Sequence, residues 1–246
     1  MPSIFLSPST QDWNPYLTTG NEQYWMNRIA DAMEPYLRAS GIDFTRNDPD
    51  RPLSQAIADS NAGNYDLHLA LHSNAAPESL AGQLRGADFY YRQGSYWGRR
   101  AAEILAEQYR QIYPNPSLVR ALPNTTFAEL RQTRAPAVLA ELAYHDNLED
   151  EAFIMNNVEA IARNLVQGLT IYFGIPFVEP MPPRQGVVIT EYTPLMLRDR
   201  PSLTGNILAR IPRGSEVTVT GQVGDWYVTT YGGQTGYASR RYIRLI

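Results

Sequence analysis

The 246-residue sequence contains no cysteine and no lysine. The first absence excludes disulfides, thiol nucleophiles and cysteine-ligated zinc, and lets the fold tolerate any redox compartment. The second leaves no candidate for a Schiff-base or P-loop lysine, since all 21 basic residues are arginine. No apolar run approaches the roughly 18 to 20 residues that span a bilayer, so membrane insertion is not expected. The start, Met1-Pro2-Ser3-Ile4-Phe5-Leu6, has no basic stretch followed by a long apolar one, and therefore shows no secretory signal. Internal repeats and low-complexity tracts are also missing.

What is present suits a folded protein. With 43% hydrophobic residues the chain can bury a real core and has length for a mid-sized domain plus a small one. The net charge of -4 divides unevenly: from Glu179 onward eight arginines face five acids, a local +3, which leaves -7 on the first 178 residues. An acidic body with a mildly basic end fits a catalytic part joined to one that meets an anionic polymer, although scatter of surface charge gives the same split.

Phe173 to Gly186, with Pro176, Pro180, Pro182 and Pro183, reads as a linker. It divides the chain into residues 1–174, a linker at 175–186, and residues 187–246. In the first part apolar strands at Ile4 to Leu6, Ile42 to Thr45, Leu67 to Leu71, Ala87 to Tyr91 and Ala137 to Leu142 alternate with helical patterns at 22–39, 53–62, 97–112 and 148–172. This alternation predicts an α/β fold, a twisted, mostly parallel sheet flanked by helices. The last part changes to short β-rich pieces separated by Arg213-Gly214, Gly224-Asp225 and Gly232-Gly233, which predicts a small all-β barrel.

Sites in open α/β sheets form beyond the carboxyl ends of the strands. Three residues fall there: Glu22, His72 and Glu141. Glu22 opens the first helix, with Asn21 or Thr19 as its cap, and is either a site residue or a carboxylate that complements the helix dipole. His72 ends Leu67-His68-Leu69-Ala70-Leu71-His72, on the same strand face as His68 but roughly 13 Å beyond it at 3.3 Å per residue. The two cannot share one metal, so His72 is the ligand candidate and His68 a hydrogen-bonded core residue. Glu141 interrupts the apolar run Ala137-Val138-Leu139-Ala140, where a carboxylate is costly unless paired, neutralised or beside a cation. A salt bridge to Arg131 or Arg134 is the alternative to a catalytic role. His145, four residues on, could face the same pocket or simply lie in water. Imidazoles combined with carboxylates suit zinc better than magnesium or calcium.

Taken together, Ile4-Phe5-Leu6-Ser7-Pro8, Asn21-Glu22, Leu71-His72-Ser73-Asn74-Ala75 and Leu130-Arg131-Gln132-Thr133 leading to Pro136-Ala137-Val138-Leu139-Ala140-Glu141 resemble the type-3 family of zinc-dependent N-acetylmuramoyl-L-alanine amidases. The resemblance covers residues 3 to 174. It implies a twisted α/β sheet, zinc bound by Glu22 and His72, and Glu141 as catalytic acid/base. It also implies a peptidoglycan substrate, met through glycan strand and stem peptide, outside the cell or at the wall. The family's first zinc-binding histidine follows the first strand, and here Thr10 stands in its place. His145, where the family carries an apolar residue, is expected to complete the zinc site.

Residues 187 to 246 resemble bacterial SH3 modules through Leu195-Met196-Leu197-Arg198-Asp199, Ile211-Pro212-Arg213-Gly214-Ser215-Glu216-Val217 and Asp225-Trp226-Tyr227-Val228 with Gly236-Tyr237. That implies a wall-binding part, with Trp226, Tyr227 and Tyr237 either stacking surfaces or core. The expected protein is a monomeric peptidoglycan amidase with a wall-targeting module and no nucleic-acid partner. The alternatives are a zinc peptidase acting within the stem peptide and a non-catalytic wall-binding protein with a degenerate metal site.

Overall fold

Six strands, β1 (Ser3–Pro8), β2 (Asp43–Arg46), β3 (Leu67–Asn74), β4 (Ala87–Arg92), β5 (Val119–Asn124) and β6 (Ala137–Tyr144), form one sheet in the order β2-β1-β3-β6-β4-β5. Helices α1 (Glu22–Ser40), α2 (Leu53–Ala62), α3 (Tyr96–Tyr109), α4 (Ala128–Gln132), α5 (Leu148–Asn156) and α6 (Val158–Phe173) connect and cover them. This computed structural model describes all 246 residues and divides into two compact units. The larger comprises Ser3–Glu34 and Phe44–Phe173, and the smaller Met1–Pro2, Pro35–Asp43 and Gly174–Ile246.

The sheet is mixed. β1 pairs parallel with β3, β3 with β6, and β4 with β5, while β4 runs antiparallel to β6. The expected α/β layering therefore holds, with the β4–β5 pair reversed relative to the β1–β3–β6 set. β5 and α4 were not predicted, because Val119–Asn124 includes exposed Arg120 and Pro123 and α4 is barely more than one turn. Pro35 lies inside α1, which runs unbroken to Ser40.

β3 and β6 occupy the centre, and nearly every residue of both is buried because both faces are covered. Register carries one row of polar residues across four strands: His72 pairs with Glu141, Glu141 with Asp88, and Asp88 with Arg120. Partners at one level of a sheet project from the same face, so this row is continuous. Beside it Ala70, Ala137 and Leu139 make an apolar floor covered by Leu130 of α4, with Tyr90 and Phe127 packed against it. On the opposite face Phe89 meets Tyr109 of α3 edge-on at 5.4 Å, and the Tyr109 hydroxyl donates to the Leu142 carbonyl at 2.9 Å.

In the smaller unit, β7 (Arg184–Val188), β8 (Leu195–Arg198), β9 (Ile207–Ile211), β10 (Glu216–Val223), β11 (Trp226–Tyr231), β12 (Gln234–Ser239) and β13 (Ile243–Leu245) form an antiparallel sheet in the order β13-β7-β10-β11-β12-β8-β9. β7 starts at Arg184, so the last three residues of the expected linker are strand. The β11–β12 hairpin turns through Gly232 (φ 58°) and Gly233 (φ 80°), the paired positive φ values that a two-residue type I′ turn requires. Its core contains Val188, Leu195, Leu197, Ile211, Val217 and Val219. Tyr237 is 1% exposed, so its ring is core and offers no stacking surface, whereas Trp226 and Tyr227 are half-buried.

Candidate active site

Glu22 reaches the site because α1 starts beside the end of β1. Asn21 Oδ1 accepts from the Tyr24 backbone N–H at 2.8 Å, capping the helix, and the Glu22 N–H donates to the Asn14 carbonyl at 2.9 Å. Glu22 is 1% exposed. Its Oε1 lies 2.7 Å from His72 Nδ1, and its Oε2 accepts from Asn14 Nδ2 at 2.8 Å. Two residues 50 positions apart in sequence thus meet at one point.

The other nitrogen of His72 faces a residue not anticipated from the sequence. His72 Nε2 lies 3.2 Å from Glu129 Oε2. Glu129 Oε1 accepts from Ser7 Oγ at 2.6 Å and faces His68 Nε2 at 3.1 Å, and His68 Nδ1 lies 2.9 Å from Ser60 Oγ. Glu129 is 2% exposed and His68 fully buried, so His68 is the hydrogen-bonded core residue expected. The signal for Glu129 was an acid between Phe127 and Leu130, two apolar residues one helical turn apart.

Charge follows from these contacts. Burial alone would lower the pKa of His72, but hydrogen bonds and attraction from Glu129 and Glu22 outweigh it and hold the ring well above the ordinary histidine value. Burial would raise both carboxylates. Hydrogen bonding to His72 lowers Glu22 instead, and His68 together with His72 lowers Glu129. Glu141 behaves oppositely. Burial pushes it up to about 7, the positive charge of His72 opposes that, and Glu22, Asp88 and Glu129 add repulsion. Its Oε2 is buried without a hydrogen-bond partner. Arg131 binds the Thr126 carbonyl and Arg134 the Asn61 carbonyl, which removes the two expected salt-bridge partners.

His145 does not join Glu22 and His72. Its Nδ1 lies 2.9 Å from the Ser73 carbonyl and 3.0 Å from Ser73 Oγ, and its ring stacks on Tyr16 at 5.3 Å. The Tyr16 hydroxyl donates to the same Ser73 Oγ at 2.9 Å. This expectation is corrected because the next residue of β3 captures the imidazole. No group of three or more histidine and acidic side chains is arranged to hold a metal.

A zinc ion nevertheless suits part of the donor set. Glu22 Oε1 and His72 Nδ1 converge, and carboxylate oxygen with imidazole nitrogen is zinc chemistry. Glu129 on the far nitrogen directs Nδ1 inward, as carboxylates behind metal-binding histidines do. Gln11 Nε2 lies 3.4 Å from Glu22 Oε1 and 3.3 Å from His72 Nδ1, and Asn14 Nδ2 donates to Gln11 Oε1 at 3.0 Å. A cavity of about 460 Å³ opens here, lined by Ser7, Thr10, Gln11, Trp13, His72 and Glu129 among others.

A layered α/β domain with a buried histidine–carboxylate cluster at one end of its central strands places polar side chains where open α/β sheets build their sites. Residues 14–170 match the family model described as N-acetylmuramoyl-L-alanine amidase, and 194–244 match that of the bacterial SH3 domain. The chain belongs to the N-acetylmuramoyl-L-alanine amidase family and carries a bacterial SH3 domain after it. Among curated proteins it is 30% identical over 112 residues to the "Probable cell wall amidase LytH" of Staphylococcus aureus, an overlap covering 44% of this chain and 35% of that protein. The chain thus spans about a third of the length of the curated relatives it matches. Among solved structures, amidase AmiC2 of Nostoc punctiforme superposes with a TM-score of 0.63 at 16% identity, covering 70% of this chain and 97% of that one. The catalytic domain of the amidase CwlV from Bacillus (Paenibacillus) polymyxa var. colistinus superposes at 0.61 and 17% identity, covering 72% and 100%. These likenesses establish the fold.

Proposed function

We propose that the chain hydrolyses the amide between N-acetylmuramic acid and the L-alanine of the peptidoglycan stem peptide, outside the cell or at the wall. The observation that carries the reading is the placement of Glu141, with its partnerless buried oxygen, beside His72 in sheet register while His72 faces Glu22 at 2.7 Å. Glu22 and His72 would hold zinc, which supplies a Lewis acid for the amide carbonyl and lowers the pKa of water. Glu141 takes the proton of the attacking water and delivers it to the departing alanine nitrogen. Burial without a hydrogen-bond partner for Oε2 raises the affinity of Glu141 for that proton. Glu129 fixes the ring of His72 so that Nδ1 faces Glu22.

The smaller unit supports wall binding. A cavity of about 640 Å³ on it is lined by Glu191, Tyr192, Leu203, Trp226, Arg241 and Tyr242 among others, and Tyr192 is 94% exposed. Aromatic faces beside charged groups suit glycan and peptide. The test is digestion of isolated walls followed by mass spectrometry of the products. Free glycan with intact stem peptide is expected, and cleavage within the stem would indicate the peptidase instead.

A second reading, a wall-binding protein without turnover, is favoured by Thr10 in place of the family's histidine and by the engagement of both His72 nitrogens with carboxylates. Retention on walls without hydrolysis, even with added zinc, would select it.

A further inference from the structure

Three polar atoms from three side chains close a small triangle. Its edges are 2.7 Å (Glu22 Oε1 to His72 Nδ1), 3.3 Å (His72 Nδ1 to Gln11 Nε2) and 3.4 Å (Gln11 Nε2 to Glu22 Oε1). Ligands about 2.0 to 2.2 Å from a tetrahedral zinc lie about 3.3 to 3.6 Å from one another, by the geometry of that polyhedron. Two edges already have that size. The third is the length of a direct hydrogen bond between Glu22 and His72, and opens when an ion replaces the shared proton.

We propose that Gln11 supplies the third protein ligand of this metal site, through its side-chain oxygen, in place of a histidine at Thr10. The inference rests on the zinc-amidase reading and assigns its missing ligand. Gln11 follows Thr10 directly in the loop after β1, and its amide nitrogen stands 3.4 Å from Glu22 Oε1 and 3.3 Å from His72 Nδ1. In the structure Gln11 Nε2 donates to Glu22 Oε1, and Gln11 Oε1 accepts from Asn14. A half-turn of the amide exchanges its two ends without moving the backbone. The oxygen then shares a centre with Glu22 Oε1 and His72 Nδ1, while Asn14 Nδ2 gives up its bond to Gln11 and keeps its 2.8 Å bond to Glu22 Oε2.

The electrostatics favour a cation at that centre. Glu22 borders it, Glu129 backs His72, and Glu141 stands beside His72 in register, so three carboxylates surround one imidazole. A neutral amide oxygen adds a donor without adding a charge. It is a weaker zinc donor than imidazole, so the site binds zinc less tightly than one with a second histidine.

Zn²⁺ affinity of the full chain, measured by chelator competition, tests the assignment, with Co²⁺ absorption as a second readout of coordination. Gln11→Ala is expected to weaken Zn²⁺ binding about tenfold or more and to change the Co²⁺ spectrum. Gln11→Glu is expected to tighten binding by a similar factor, and Thr10→Ala to leave it unchanged. Wild-type affinity in Gln11→Ala, with binding abolished in Glu22→Ala and His72→Ala, would overturn the role of Gln11 and leave the amidase reading standing. A loss in Thr10→Ala rather than in Gln11→Ala would overturn it as well. Failure of the wild-type chain to take up Zn²⁺ would overturn both.

Discussion

His72 Nε2 and Glu129 Oε2 lie 3.2 Å apart, and this contact fixes which nitrogen of the ring faces Glu22. Glu129→Gln keeps the shape and removes the charge. Because carboxylates behind metal-binding histidines raise their basicity, the variant should lose about 10- to 100-fold in zinc affinity or wall hydrolysis. Chelator competition and release of dye-labelled wall measure it, and wild-type values in both would reject the role.

Glu141→Gln should lower turnover steeply while leaving zinc uptake and folding intact. General acid/base catalysis contributes about 10² to 10⁴ in rate. Loss of metal together with activity would instead place Glu141 among the ligands.

The same residue sets a pH dependence of stability in chelator-treated protein. Its pKa is raised from 4.5 to about 7, so the protonated carboxyl favours the fold. That contribution is fully present below 4.5 and is lost as pH rises through about 7. Glu141→Gln should therefore match the wild type at pH 4 and exceed it at pH 8.5 by on the order of 3 kcal/mol. Urea unfolding at the two pH values checks the sign, and equal stability at both would show that the carboxyl is not strained.

His145→Ala should retain the zinc content of the wild type, because its ring is bound by Ser73 and stacked on Tyr16. The cost should fall on stability, about 1 to 3 kcal/mol for leaving Ser73 and Tyr16 short of a partner. Loss of zinc without loss of stability would restore His145 to the metal.

The candidate residues Glu22, His72 and Glu141 stand out in the sequence because each cue is local. An acid in the apolar run of β6, a histidine in the C-terminal half of β3 and an acid just after the cap of α1 mark the C-terminal halves of two strands and a helix start, near where α/β sheets build sites. Gln11 and Glu129 were not legible. Gln11 lies in a loop with no periodicity, and Glu129 sits on a five-residue helix too short to leave a pattern.

The sequence by itself determined the α/β layering of the first part, the β-rich character of the second and the turn glycines at 224, 232 and 233, since hydrophobic period and backbone freedom are properties of a few adjacent residues. Only the tertiary structure decided the reversal of β4 and β5, the capture of His145 by Ser73, and the placement of Gln11 and Glu129 around His72. Those depend on register between strands and on contacts across tens of residues, set by how the whole core packs rather than by any local pattern.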